Sequence, residues 1–172
     1  MGIQRVDTRS VAKIYAECFY KCSGFNLPLD TYITNHTYMI QDGDTPVGGL
    51  CVILDKNNFR LPPQLPDNVE LPDQDRCGEI TGYWYTGTKT WSYILFLYAL
   101  VRAVFLNRKY YFMYAYSYSN TKLKKYYEGG NPTRLYSGTM STGALECVEY
   151  MSKFGLFLIY AKSIFKKLRV IR

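Results

Sequence analysis

The sequence predicts an α/β (α+β) domain: a mixed central sheet of about six to seven strands with helices on both faces. Three observations carry this. Runs that alternate with a period of two, such as Tyr110–Tyr118, stand beside runs with helical spacing, such as Val11, Ile14, Tyr15, Cys18 and Phe19. An apolar helical stretch at about Trp91–Asn107 joins two strand-like runs, a crossover whose length requires parallel neighbours. The 172 residues, 48% hydrophobic and 20% charged, suffice for one domain (1–172) with a full core and are too apolar for disorder.

The elements follow in order. Asp7 or Thr8 caps a first helix running to about Tyr20, and Gly24–Pro28 breaks the chain. Leu29–Asn35 forms a short second helix with Asp30 as its cap. Thr37–Gln41 and Val47–Leu54 flank a turn of Asp42, Gly43, Asp44 and Pro46, a hairpin signal. A Pro-rich excursion at about 57–76 has the composition of irregular chain. Gly78–Tyr85 is a third strand, with Glu79, Thr81, Tyr83 and Tyr85 on one face and Ile80, Gly82 and Trp84 on the other. After the turn Thr86–Thr90 come the apolar helix, the Tyr110–Tyr118 strand and a short helix at Thr121–Glu128 that stops at Gly129-Gly130. Two late strands are expected, Arg134–Met140 and one within Phe154–Ala161; Ala144–Met151 fits helix and strand equally. A basic segment closes the chain at about 162–172.

Charge and cysteine content narrow the function classes. A net charge of +7 favours anionic partners, but much of it lies in the C-terminal segment. The 5 cysteines include no Cys-x-x-Cys pair and accompany a single histidine, His36, so no metal site and no disulfide framework is expected. Cys18, Cys22 and Cys51 lie on apolar faces and read as small core residues. Cys77 precedes the third strand, yet His36 lies in a distant segment, which disfavours nucleophilic catalysis. The N-terminal stretch lacks the apolar core of a secretory signal, and Val6 stands where N-myristoylation needs Ser or Thr. The apolar run that ends at Leu106 contains Arg102 and is too short for a transmembrane segment. A cytoplasmic setting is therefore expected.

Two stretches point to chemistry. Between a strand and a buried helix, Thr86-Gly87-Thr88-Lys89-Thr90 sets backbone N–H groups, hydroxyls and an ammonium where a pyrophosphate would sit. In the second stretch, a strand ends near Asn120 and Tyr127 follows seven residues later on a helix, where its phenol could act as a general acid beside a ligand. Tyr126 points about 100° away from Tyr127 on that helix, so only one of the two can face such a ligand.

Together these features resemble the GCN5-related N-acetyltransferase superfamily, over roughly residues 5–140 in element order. The hairpin with Pro46-Val47-Gly48 is similar to its second and third strands, Gly78–Tyr85 to its fourth, Thr86–Ser92 to its pyrophosphate turn and Trp91–Asn107 to its third helix. Asn120-x-x-Leu123-x-x-x-Tyr127-Glu128 resembles its Asn-x-x-Ala-x-x-x-Tyr-Glu motif. The resemblance implies an N-acetyl- or N-acyltransferase that moves an acyl group directly from acetyl-CoA or another acyl-CoA to a small-molecule amine. Tyr127 would be its acid and Glu79 its base. Trp84, Tyr85, Gly87, Thr88, Lys89, Thr90, Trp91, Ser92 and Asn120 would contact the donor, a backbone N–H near Trp84 polarising the thioester carbonyl.

The turn departs from the family pattern. It lacks the arginine and paired glycines, and bulky Trp91 stands where a glycine is expected. This implies a donor held differently or of another kind, as in the autoinducer and N-acyl amino acid synthases that use acyl carrier protein. An acyl-carrier-protein donor meeting Lys122, Lys124 and Lys125 is thus a second reading. A basic non-catalytic domain binding nucleic acid or an acidic partner is a third, disfavoured because the aromatics alternate within strands rather than interleaving with Lys or Arg. A homodimer paired through the apolar late strands is compatible with all three.

Overall fold

Residues 1–88 and 90–169 are described by the computed structural model. One mixed sheet of 7 strands runs in the order β1-β2-β3-β4-β5-β7-β6. The strands are β1 (Gly2–Arg5), β2 (His36–Asp42), β3 (Thr45–Ile53), β4 (Cys77–Tyr85), β5 (Tyr111–Ser117), β6 (Thr133–Thr139) and β7 (Leu145–Ser152). The helices are α1 (Arg9–Ser23), α2 (Leu29–Thr34), α3 (Thr90–Leu100), α4 (Thr121–Glu128) and α5 (Lys153–Arg169). β4 and β5 pair in parallel, as the crossover through α3 demands, and β5, β7 and β6 pair antiparallel. The chain gathers into two compact units, Met1–Leu54 with Ile80–Asn107, and Asp55–Glu79 with the chain from Arg108 on.

In the first unit, Thr8 caps α1 and Gly24, at φ 76°, closes it with an N–H donated to the Tyr20 carbonyl. The buried stripe is Ala12, Tyr15 and Phe19, so the helix is turned slightly from the predicted face and Ile14 is left half-exposed. α2 begins at Leu29 behind Pro28, with Asp30 inside its first turn; the expected Asp30 cap is not formed, because proline already sets the entry. The β2–β3 hairpin turns through Gly43, at φ 62°. Neighbouring glycines on β3 reveal the layering. A Cβ on Gly48 would come within 2.7 Å of the Tyr85 ring, which packs against Tyr93 and Phe96 of α3. A Cβ on Gly49 would strike Trp84 and α1's Tyr15, the latter packed on Tyr32 of α2. Adjacent strand residues face opposite ways, so α1 and α2 cover one face of this unit and α3 the other. The predicted long helix is α3 followed by a π-helical stretch at Val101–Phe105. β1 was not predicted, since a four-residue strand with polar Gln4 and Arg5 has no readable alternation.

In the second unit the excursion forms two single 3-10 turns, Lys56–Asn58 and Pro62–Gln64, and buries Phe59, Leu61 and Leu65. The ambiguous Ala144–Met151 segment is strand β7. The strand expected within Phe154–Ala161 is instead part of α5: Leu156, Ile159 and Tyr160 are buried while Phe154 and Phe157 are exposed, a helical period rather than alternation. Gly130 and Gly155 let α4 and α5 meet backbone to backbone, since a Cβ on Gly130 would lie 2.8 Å from the Gly155 carbonyl oxygen. All 5 cysteines are free; Cys51, Cys77 and Cys147 are buried, whereas Cys22 is exposed, contrary to the expected core role.

Candidate functional site

The β4–β5 ladder sets the geometry of the site. Its registered pairs are Cys77↔Tyr111, Gly78↔Phe112 and Glu79↔Met113. Laterally paired residues share a face, so Glu79 projects with Met113, Tyr111 and Cys77. Residues of the other parity on β5, Phe112, Tyr114 and Tyr116, project to the opposite face with their β7 partners Met151, Glu149 and Cys147.

Glu79 is fully buried. Its Oε2 accepts hydrogen bonds from the Arg60 N–H at 2.7 Å and the Leu61 N–H at 3.0 Å, so the excursion folds its backbone over this carboxylate. Its Oε1 is buried with no hydrogen-bond partner among the described residues. Burial pushes the carboxyl up to about 7, against the opposing pull of those two N–H groups and the Arg60 charge. A carboxylate poised there, with one oxygen unused, is chemically fit to take a proton near neutral pH. On the same face, Cys77 is buried and its thiol is pushed up to about 12, which keeps it protonated and poorly nucleophilic.

Tyr127 lies on the opposite face. β5 ends at Ser117, and Asn120 caps α4 by accepting the Leu123 N–H on Oδ1 at 3.1 Å. Seven residues on, the Tyr127 ring is buried against Tyr114, 4.3 Å between centroids, and Tyr116, 5.8 Å away. Tyr126 turns instead toward Tyr160 of α5, 6.4 Å between centroids. Glu149 lies under the tyrosines, its Oε2 accepting from the Tyr114 hydroxyl at 3.3 Å and its Oε1 from the Tyr116 hydroxyl at 3.0 Å. Arg134 donates to Oε1 through Nη2 at 2.8 Å and Nε at 3.2 Å. Sequence reasoning missed Glu149 and Arg134; the available signal was a glutamate between Val148 and Tyr150, three residues before the end of β7.

The expected phosphate turn belongs to the first unit. The Thr86 and Gly87 N–H groups both donate to the Val47 carbonyl, at 2.9 and 3.1 Å, and bring no free donor to an anion. Tyr85 and Ser92 share a hydrogen bond of 2.9 Å, and a Cβ on Gly87 would fall 2.7 Å from each of their hydroxyls. The glycine position is thus filled by the turn's own side chains, which does not fit a pyrophosphate cradle at Thr86–Gly87. Thr88 is exposed, Thr90 opens α3, Trp91 is 69% exposed and Lys89 lies outside the described residues. The Trp84 indole is buried beside Tyr15, 6.0 Å between centroids. Gly82 takes φ 60° inside β4, a left-handed conformation that favours glycine, and its carbonyl accepts from the Tyr15 hydroxyl at 2.6 Å.

Among the described residues no cluster of His, Cys, Asp or Glu could hold a metal ion, and no helix is long and apolar enough to cross a membrane.

No protein-family model matches the sequence, and no curated protein matches it. Solved structures do. The chain is similar to the AHL synthase LasI with a TM-score of 0.60 at 12% identity, over 88% of this chain and 89% of that one. The CoA-dependent acyl-homoserine lactone synthase MesI matches with a TM-score of 0.54 at 13% identity, over 93% of each chain. A ribosomal-protein-alanine N-acetyltransferase from Brucella melitensis matches with a TM-score of 0.51 at 10% identity, over 89% and 99%. At such identities the likeness establishes the fold, that of the N-acyltransferases anticipated from the hairpin and the Asn120–Tyr127 motif.

Proposed function

We propose that this protein transfers an acyl group from a thioester to an amine, with Glu79 as proton acceptor and Tyr127 as proton donor. The observation that carries the reading is Glu79: a buried carboxyl with one oxygen unpartnered among the described residues, pushed up to about 7, on β4, the strand that pairs parallel with β5. The amine nitrogen attacks the thioester carbonyl, forming the C–N bond as the C–S bond breaks. Glu79 takes the proton that the nitrogen loses, and Tyr127 protonates the departing thiolate.

Tyr127→Phe tests the acid role. Turnover of acetyl-CoA with hydroxylamine as the amine probe should fall well beyond any change in donor affinity, and unchanged turnover would reject it.

A second reading has its own supporting observation. Because Thr86 and Gly87 spend their N–H groups on Val47, the donor on this reading is an acylated carrier protein that docks by charge. The exposed Lys122, Lys124 and Lys125 of α4 are the residues proposed to meet it. It predicts a complex with acyl carrier protein that weakens as salt rises and no thermal stabilisation by acetyl-CoA. Stabilisation by acetyl-CoA with no carrier complex would return the donor to CoA.

A further inference from the structure

We infer that Glu149 is a positioning residue for Tyr127, acting through the phenols of Tyr114 and Tyr116; this rests on the reading of Tyr127 as the acid. α4 has 8 residues, too short to hold a side chain rigidly by its own backbone. The Tyr127 ring packs on a floor of two phenols. Tyr114 and Tyr116 stand two residues apart on β5 with near-parallel rings, 21° between planes, and Tyr127 rests on both.

That floor is fixed from the far end. Both hydroxyls donate to one carboxylate that is 3% exposed, and the Arg134 guanidinium, 44% exposed, closes the charge from the solvent side. An apolar residue at 149 would leave the two phenols unanchored and the arginine unpaired. Burial and the neighbouring carboxylate also push the Tyr114 and Tyr116 hydroxyls far above the ordinary phenol range. They remain committed donors to Glu149 and are poor acids toward anything else. The protein thus uses one carboxylate to turn two tyrosines into a support for a third.

The test is Glu149→Gln, nearly isosteric and still able to accept, measured in two ways. First, in protein labelled with 13Cζ-tyrosine, the Tyr127 resonance, assigned by its loss in Tyr127→Phe, should shift or broaden. Second, acetyl-CoA turnover with hydroxylamine should drop roughly 10- to 100-fold at an unchanged KM for acetyl-CoA, the size expected when a reacting group is displaced by about 1 Å. In the Tyr127→Phe background Glu149→Gln should add no further loss, because both changes act on one group. A purely structural Glu149 would give an additive loss and overturn the inference, as would an unchanged Tyr127 resonance. A shifted resonance with turnover indifferent to Tyr127→Phe would instead overturn the acid reading. Should Glu149→Gln fail to fold, Tyr116→Phe removes one anchoring hydroxyl while keeping the ring, and the same two measurements decide.

Discussion

Glu79 and Glu149 are two buried carboxylates in one unit, on opposite faces of the same sheet, and their surroundings differ in kind. Glu79 meets two backbone N–H groups on one oxygen and, among the described residues, nothing on the other, and burial lifts it to about 7. Glu149 meets two phenols and a guanidinium, with both oxygens engaged. A buried carboxylate with both oxygens hydrogen-bonded serves as a structural anchor, while one with an oxygen left unanswered has a lone pair available for chemistry. On the proposed reading, burial alone does not separate the base from the brace; the count of partners does.

The contrast is sharpest in turnover. Glu79→Gln should lower acyl transfer by ~10²–10⁴-fold at saturating donor, the usual scale for removing a general base. Glu149→Gln should lose less, and equal losses for the two variants would erase the distinction. Tyr127→Phe should fall in the same upper range as Glu79→Gln, with acetyl-CoA affinity retained.

Stability against pH tests the Glu79 assignment by another route. Because the folded protein raises the Glu79 carboxyl, it holds that proton over a window where the unfolded chain has lost it. Stability from this source is complete below the ordinary carboxylate range and is lost as pH rises through about 7. Glu79→Gln should remove that slope, about 3 kcal/mol across the window, read as the difference in denaturant stability between acid and mildly alkaline buffer. Parallel curves for wild type and Glu79→Gln would contradict the assignment.

Smaller effects probe how the Tyr127 side is built. Gly130→Ala places a methyl 2.8 Å from the Gly155 carbonyl oxygen and from Met151 and Ile159, and should destabilise by about 1–3 kcal/mol in a denaturant titration. Asn120→Ala removes the α4 cap and should cost about 1 kcal/mol, with turnover lowered less than by Tyr127→Phe. An Asn120→Ala variant as impaired as Tyr127→Phe would mean the asparagine does more than cap.

How much of this was legible follows from local signals. Thr121–Glu128 matched its helix at both ends because Asn120 and the Gly129-Gly130 pair punctuate it from within the sequence. The hairpin matched for the same reason, through Gly43. Glu79 could be named as the carboxylate on the predicted central strands and Tyr127 from a motif, but the excursion's two N–H groups on Glu79 come from residues 18 and 19 positions away, and no periodicity encodes them. Glu149 was hidden because its strand interleaves charged and apolar residues that fit either element, and because its partners arrive from β5 and β6. α5 was misread as a strand since its first residues are aromatic and apolar, and only burial shows their helical period. The turn after β4 looked open to a phosphate by composition; the Val47 carbonyl and the Tyr85–Ser92 pair that close it are tertiary facts.

The most direct test is a 13C NMR titration of the Glu79 side-chain carboxyl, its resonance assigned by its loss in Glu79→Gln. A midpoint near 7 is the expected result and would show a carboxylate tuned for proton transfer at neutral pH. A midpoint at about 4.3, the value of an ordinary glutamate, would contradict the account, leaving Glu79 a residue that the excursion merely covers.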